Sequence, residues 1–263
     1  MRWLAHGEHD VPDTLDWLTR HERDHLDSIR FTKRRSEYLT RRWTTKRAVA
    51  GVLGLDPSQC ALTRIEVRHR PSGAPYVHLD GSPAGVDVSM TDRSGWAVCL
   101  VGEPETDPDR SAATSGSDVS GTVGVDLEVV EPRSDAFVAD YFTAAERAHV
   151  ASQQAERHDE LANLIWSAKE AALKVLQVGL RVDTRAVEVR LTDERRADGW
   201  APLSVVGVDG GAAVEMPGWW RRAGVFLLTI AFAEPAEPPL LLPAGSDLDT
   251  ASPQHSWVDS PVW

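Results

Sequence analysis

Two acidic residues, Asp126 and Glu128, lie in a short valine-rich segment that reads GVDLEVVEPR from Gly124 to Arg133. Side chains alternate between the two faces of a strand, so both carboxylates are predicted to lie on one face, roughly 7 Å apart along the chain. Two ionised carboxylates this close repel each other and are costly to remove from water unless a positive charge offsets them. A hard divalent cation, held by one or two carboxylates and by substrate phosphates, is one source of that charge. The alternative is a strand whose polar face meets water.

A basic segment precedes these acids in the sequence. Eight Lys and Arg residues and a single acid, Glu37, occur between Arg30 and Arg47, whereas the whole chain has a formal net charge of -12. The overall charge disfavours general binding to nucleic acids or to anionic membranes. An acidic chain with one local basic segment indicates a specific anionic ligand.

The basic segment has helical periodicity from about Arg30 to Leu53 and ends at GLDPSQ. On a helical wheel Arg35, Arg42 and Lys46 share a face with an apolar stripe. That stripe is formed by Phe31, Leu39, Val49 and Leu53. Cations on a core-facing stripe need an anion or an open cleft, unless their stems are buried while their heads reach water. We predict that Arg42 and Lys46 border a cleft for a phosphorylated ligand, with such snorkelling as the alternative.

A second long helix is predicted from about Asp159 to Gln177. Its apolar stripe consists of Leu161, Leu164, Ile165, Ala168, Ala172, Val175 and Leu176. Glu170 and Lys174 lie roughly opposite the stripe, where they could form a surface ion pair of about 0.3–0.5 kcal/mol. The large apolar residues Trp166 and Leu173 flank this pair, so the second face is also expected to be covered. In such a partly enclosed place a carboxylate can bind a metal or take a proton.

Composition and order of elements predict a cytoplasmic α+β protein. The chain has 263 residues, 42% of them hydrophobic, and two cysteines, which is enough for one large or two modest domains and fits a reducing compartment. We expect no signal peptide and no membrane span. Two long helices, each followed by several strands, favour the α+β class. The predicted organisation is an N-terminal half at 1–101, a flexible linker or insertion at 102–122, a C-terminal half at 123–235 and a Pro-rich, poorly ordered polar tail at 236–263.

These motifs together resemble those of the 4′-phosphopantetheinyl transferases. The segments VGVDLE at 123–128 and WSAKEAALK at 166–174 resemble the paired signature of that family, and YFTAAE at 141–146 resembles the element between its two parts. The segment RRSEYLTRRWTTKRA, which ends at Ala48, is similar to the coenzyme A-binding helix of the longer, surfactin-synthetase-activating (Sfp) type. The resemblance runs from about Arg30 to Val189.

The resemblance implies a fold and a reaction. Members of the Sfp type are monomers in which two similar α+β halves pack with pseudo-twofold symmetry around coenzyme A. They transfer 4′-phosphopantetheine from coenzyme A to a serine hydroxyl of an acyl or peptidyl carrier domain and release adenosine 3′,5′-bisphosphate. Such chemistry depends mainly on positioning and on neutralising phosphate charge. The expected partners are carrier proteins and coenzyme A, with no nucleic acid and no membrane.

The resemblance also implies roles for individual residues. Asp126, Glu128 and Glu170 match the acids that bind Mg²⁺ in the family, and Glu170 is instead, or in addition, a candidate general base toward the carrier serine. Lys174 matches a lysine near the pyrophosphate, so Asp126, Glu170 and Lys174 form the expected catalytic group. The residues expected to contact coenzyme A are Arg35, Arg42, Lys46, Ser89, Arg93, Lys169 and Lys174.

Two positions depart from the family pattern. Met90 and Ala74 stand where many members have a histidine and a lysine that help to hold coenzyme A phosphates. Neither side chain can do so, and Arg93 or the basic residues at 68–70 are candidate replacements. The departures leave a second function open, namely a non-catalytic, regulatory module of the same fold that binds coenzyme A or a carrier.

Overall fold

The computed structural model describes residues 1–102, 123–178, 181–192, 194–209 and 212–254. The predicted linker at 102–122 lies, apart from Gly102, outside the described residues. The described α-helices are α1 (Arg20–Ser28), α2 (Thr32–Leu53), α3 (Gln59–Leu62), α4 (Asp135–Tyr141), α5 (Ala144–Ala151) and α6 (Ala155–Val175). The described strands are β1 (Arg2–Gly7), β2 (Ile65–His69), β3 (Pro75–Leu79), β4 (Ser82–Pro83), β5 (Val88–Arg93), β6 (Trp96–Val101), β7 (Val123–Val129), β8 (Glu188–Leu191), β9 (Ala201–Asp209), β10 (Ala212–Ala223), β11 (Phe226–Phe232) and β12 (Leu240–Leu241).

The chain divides into two compact units. Unit 1 is formed from residues 1–119, 239–248 and 252–263, and unit 2 from residues 120–238 and 249–251, in each case as far as they are described. Each unit combines helices with largely antiparallel sheets, so the predicted α+β fold class is confirmed. None of the described helices is long and apolar enough to cross a membrane.

Unit 1 contains two sheets and the long helix α2. The strands are ordered β12-β1-β6-β5 in one sheet and β2-β3-β4 in the other. Helix α2 buries Val49, Ala48 and Ala50 in the core of this unit. The helical wheel was wrong about Phe31, which precedes the first turn and is 69% exposed.

Unit 2 contains one five-stranded sheet and the long helix α6. The strand order is β7-β11-β10-β9-β8, with every neighbouring pair antiparallel. Helix α6 turns its predicted apolar stripe to the sheet, where Leu164, Ile165 and Ala168 are buried. The sheet therefore carries β7 at one edge, beneath the helix that holds the other predicted site residues.

The two units repeat one order of elements. Each begins with a strand, continues through a short and a long helix and closes with antiparallel strands. The neighbours β1-β6-β5 of unit 1 correspond to β7-β11-β10 of unit 2, and the pair β2-β3 corresponds to β8-β9. The sequence analysis predicted two similar halves, and the element order within the units agrees with it.

The C-terminal segment is better ordered than expected. Leu240 pairs with Arg2 in a parallel bridge, Leu242 is buried in the core of unit 1, and the Gln254 N–H donates to the Ser94 carbonyl. The expectation of a poorly ordered tail is therefore wrong for residues 239–254.

Candidate active site

Strand β7 (Val123–Val129) and helix α6 (Ala155–Val175) approach each other closely enough to require a glycine. A Cβ atom built on Gly124 would lie 1.9 Å from the carbonyl oxygen of Ala171. Because Gly124 shares a face with Asp126 and Glu128, its missing side chain lets the helix pass over that face. The spacing of the motif therefore places two strand carboxylates under α6.

Asp126 is buried and held at both carboxylate oxygens. Lys174 Nζ donates to Oδ1 at 2.9 Å and Ser167 Oγ donates to Oδ2 at 2.9 Å. The Ser167 hydroxyl is also 2.7 Å from the hydroxyl of Thr229 on the neighbouring strand β11. Sequence reasoning assigned no role to Ser167 or Thr229. The only signal for Ser167 was its position inside WSAKEAALK.

Glu128 is likewise buried and held at both oxygens. Trp166 Nε1 donates to Oε1 at 3.1 Å, and Arg133 Nη2 donates to Oε2 at 3.0 Å. From the sequence, Trp166 was expected only as an apolar flank, and Arg133 had no predicted role. Both acids of the D-x-E motif thus lie on the predicted face, each with a cation beside it.

Glu170 is the least satisfied of the three acids. Its Oε1 atom is buried and makes no hydrogen bond within the described residues. Burial and the nearby Asp126 raise the pKa of Glu170 to about 7, and Lys174 partly opposes that shift. A carboxyl group with a pKa near neutrality can give and take a proton at physiological pH.

The carboxylates of this cluster are ligands that suit a hard cation, although they do not surround one. In the described part of the chain, no three His, Cys, Asp or Glu side chains form a group that could hold a metal ion by themselves. Mg²⁺ is usually bound by one or two carboxylates and completed by substrate phosphates and water. The unsatisfied oxygen of Glu170 beside Asp126 fits a site that needs only one or two carboxylates from the protein.

The segment that carries this cluster has known relatives. Residues 122–198 match the family model of the 4′-phosphopantetheinyl transferase superfamily. This segment is therefore similar to that superfamily in sequence. A curated relative, the 4′-phosphopantetheinyl transferase psf-1 of Bacillus pumilus, is 32% identical over 75 residues. The alignment covers 28% of this chain and 32% of the relative, so the matched region spans about a third of the relative's length. The resemblance found in the sequence is confirmed.

Another residue of the superfamily segment, Lys169, points away from the carboxylates. It is fully buried, pairs with Glu146 at 2.7 Å and donates to the carbonyls of Tyr141, Thr184 and Val187. Burial lowers the pKa of Lys169, and Glu146 opposes this. The partners give Lys169 a structural role within unit 2. Its contact with coenzyme A stays a prediction that this placement does not support.

Unit 1 contains the same arrangement around Lys46. This lysine is fully buried, lies 2.5 Å from Glu22 Oε2 and donates to the carbonyl of Trp17 at 2.8 Å. Glu22 Oε1 accepts from the Val67 N–H in unit 1, as Glu146 Oε1 accepts from the Val189 N–H in unit 2. Lys46 is thereby placed inside unit 1, and its predicted role at a coenzyme A cleft also lacks support from its position.

The shared ion pair reveals a sequence repeat that the sequence analysis missed. The segment DWLTRHER at 16–23 matches DYFTAAER at 140–147, and WTTKRA at 43–48 matches WSAKEA at 166–171. In each copy the threonine caps a helix and the glutamate three residues later completes a capping box. The superfamily motif of unit 2 therefore has a counterpart in unit 1 in which Arg47 stands in the position of Glu170.

Arg42 is a buried cation of α2 that contacts Met90, one of the two positions that depart from the family pattern. Its Nη1 is 3.8 Å from Met90 Sδ, its Nη2 is 3.4 Å from His69 Nδ1, and its Nε has no hydrogen-bond partner in the described residues. Glu22 is its nearest acid at 3.8 Å and is shared with Lys46. Arg42 is therefore a buried guanidinium whose unsatisfied Nε lies on the side of Glu22.

The other residues predicted to contact coenzyme A are also in unit 1. Arg35 donates to the carbonyls of Leu26 and Ile29 at the end of α1 (Arg20–Ser28), at 2.5 and 3.3 Å. Ser89 is buried in β5 (Val88–Arg93), and Arg93 ends that strand. The structure thus brings Asp126, Glu128, Glu170 and Lys174 together in unit 2 and places the remaining predicted residues, apart from Lys169, in unit 1.

Proposed function

We propose that the protein transfers 4′-phosphopantetheine from coenzyme A to a serine hydroxyl of apo acyl or peptidyl carrier domains, in a Mg²⁺-dependent reaction that releases adenosine 3′,5′-bisphosphate. The observation that carries this proposal is the buried, unsatisfied Glu170 Oε1 beside Asp126 and Lys174 in a segment of the transferase superfamily. Membership of the superfamily supports phosphopantetheine transfer in general. Mg²⁺ and the carrier substrates are part of the proposal.

Lys174 is suited to hold a phosphate oxygen. Its ammonium group donates to the Val125 carbonyl at 2.7 Å and to Asp126 Oδ1 at 2.9 Å. A lysine has three N–H donors, so, counting only partners among the described residues, one remains for the pyrophosphate. A charge-assisted hydrogen bond there stabilises the charge that develops on the departing phosphate.

Glu170 is suited to receive the proton of the carrier serine. In the proposed step the serine oxygen bonds to the phosphorus that carries pantetheine, and the bond from that phosphorus to the bridging oxygen breaks. The electron pair of that bond leaves with adenosine 3′,5′-bisphosphate, and the serine proton passes to Glu170 directly or through a water. A pKa of about 7 matches this role.

The same carboxylates are the residues that would hold Mg²⁺. Asp126 and Glu128 keep fixed positions under α6, and Glu170 has the free oxygen. Bound there, the ion supplies neutralising charge to the pyrophosphate oxygens. Whether Glu170 is a ligand, a base or both is decided by comparing metal affinity with the pH dependence of transfer in Glu170→Gln.

The proposal includes Arg42 as a residue that contacts coenzyme A. Arg42 is a buried cation whose Nε has no hydrogen-bond partner in the described residues, and it shares its nearest carboxylate with Lys46. We include Ser89 and Arg93 as further contacts. A cytoplasmic monomer is part of the proposal, and the free thiols of Cys60 and Cys99 agree with a reducing compartment.

The test is a mass measurement on an apo carrier domain incubated with the protein, coenzyme A and Mg²⁺. The proposal expects each carrier to gain one phosphopantetheine, and the gain should disappear when Mg²⁺ is chelated. A non-catalytic binding module is the alternative suggested by Met90 and Ala74. It predicts that the carrier or coenzyme A binds while the carrier mass stays unchanged.

A further inference from the structure

Arg133 lies in the site region and contacts three elements of unit 2, and neither the motifs nor the proposed reaction uses it. Its Nε donates to Asn163 Oδ1 at 2.7 Å, its Nη2 donates to Glu128 Oε2 at 3.0 Å, and its guanidinium carbon lies 4.8 Å from the centroid of the Phe137 ring. These partners belong to α6, β7 and α4. The guanidinium is therefore fixed by three separate elements of unit 2.

Asn163 is itself oriented for this contact. Its Nδ2 donates to the carbonyls of Glu131 at 2.6 Å and Asp159 at 2.8 Å. The amide nitrogen of asparagine has two N–H donors, whereas its amide oxygen can only accept. The nitrogen of the fully buried Asn163 must therefore face the two carbonyls, and its oxygen must face Arg133. A continuous chain of hydrogen bonds thus connects two backbone carbonyls to Glu128 through Asn163 and Arg133.

The Glu128 carboxylate is consequently held from two sides. Trp166 donates to Oε1, and its ring lies 5.1 Å from both Phe137 and Tyr141. Arg133 donates to Oε2 and stacks on the same Phe137 ring. Because the two donors bind different oxygens, they fix the direction in which the Glu128 carboxylate faces.

We propose that Arg133 is a positioning residue that fixes the Glu128 carboxylate for the cation of the site. This inference rests on the proposed function, because it assumes that Glu128 is a ligand. Groups that orient metal ligands typically change metal affinity about 10–100-fold when they are removed. A counter-charge alone would act in the opposite sense, since removal of a cation next to a carboxylate strengthens its attraction for a metal ion.

Mn²⁺ binding, measured by electron paramagnetic resonance with coenzyme A present, separates these two effects without any turnover. Arg133→Gln should weaken Mn²⁺ binding about tenfold or more, and Arg133→Lys should recover only part of the loss because it cannot reproduce the planar contacts. In a Glu128→Gln background the same Arg133→Gln change should cost less than about twofold. The matched control is Arg222→Gln, which removes a half-buried pair with Glu160 in the same unit and should leave binding within about twofold of wild type.

Unchanged or tighter Mn²⁺ binding by Arg133→Gln overturns the inference and leaves the proposed function intact. An equal loss in the presence and absence of Glu128 also overturns it, because Arg133 would then act by another route. If the wild-type protein binds no Mn²⁺ with coenzyme A, both this inference and the metal part of the proposed function fail. Urea unfolding of each variant identifies any loss of binding that merely follows loss of the fold.

Discussion

Replacement of Lys46 by methionine separates a structural role from a ligand-binding role for the basic helix α2 (Thr32–Leu53). Methionine fills a similar volume without a charge, so Lys46→Met leaves Glu22 buried and without its nearest cation. Removing one partner of a buried ion pair costs about 3–5 kcal/mol. Arg42 stays 3.8 Å from Glu22, and the Thr19 and Val67 N–H groups still donate to it, so we expect the lower end of that range.

The free energy of unfolding, measured by urea denaturation, is the quantity to compare. Lys33→Met is the matched control, because Lys33 lies on the same helix, its side chain is 54% exposed and its pair with Glu37 at 3.8 Å is at the surface. It should change stability by less than about 0.5 kcal/mol. Glu22→Gln in the Lys46→Met protein removes the unpaired charge and should recover about 1 kcal/mol or more.

The same variants report on ligand binding. At a temperature where Lys46→Met remains folded, its affinity for coenzyme A should lie within about twofold of wild type. A stable Lys46→Met protein, changed by less than about 1 kcal/mol, that has lost coenzyme A affinity would refute the structural role. It would restore the phosphate-binding role that the sequence predicts.

Two further predictions concern packing and pH. Gly124→Ala should lower the free energy of unfolding by about 3 kcal/mol, because the new Cβ would lie 1.9 Å from a carbonyl oxygen of α6. The matched Gly51→Ala should be neutral or stabilising in thermal unfolding, because the atoms nearest to its Cβ belong to the Leu242 side chain and begin at 3.4 Å. Burial lowers the pKa of His6 from 6.5 to about 4, so between these pH values the unfolded chain binds more protons than the folded chain. The free energy of unfolding should therefore fall as the pH drops from about 6.5 to 4, and His6 should account for on the order of 3 kcal/mol of that fall. His6→Gln, which keeps an N–H donor for the Ala244 carbonyl, should flatten that slope in urea titrations at several pH values, and an unchanged slope would contradict the assignment.

The local pattern was sufficient to predict the D-x-E strand and the two long helices. Strand alternation placed Asp126 and Glu128 on one face, and the 3.6-residue period gave the buried stripe of α6. The partners of these residues were not predictable by periodicity. Ser167 and Arg133 act through hydrogen bonds that depend on how β7 and α6 come together.

The role of Lys46 shows what a helical wheel leaves out. The wheel correctly turned Lys46 toward the core, but its partner Glu22 lies on another helix, and a wheel contains no information about neighbouring elements. The repeat of DWLTRHER and DYFTAAER was visible in the sequence. It was missed because the shared residues are few and the two copies are far apart.

Some elements were missed because their composition argued against them. Strand β10 (Ala212–Ala223) contains Pro217 and Gly218, both unfavourable inside strands. The C-terminal segment looked disordered because of its prolines, yet Leu242 and Leu248 are buried. These two leucines were the signal that the segment packs on folded structure.

The central claim is that the carboxylates under α6 carry out phosphopantetheine transfer, and the intact mass of an apo carrier domain tests it most directly. With coenzyme A and Mg²⁺, the wild-type protein should add one phosphopantetheine to each carrier. Asp126→Asn, which keeps an acceptor for Ser167, should add almost none while remaining folded, and Asp183→Asn, at an exposed pair with Arg185, should act like wild type. No mass gain with the wild-type protein, or an equal gain with Asp126→Asn, would contradict the claim.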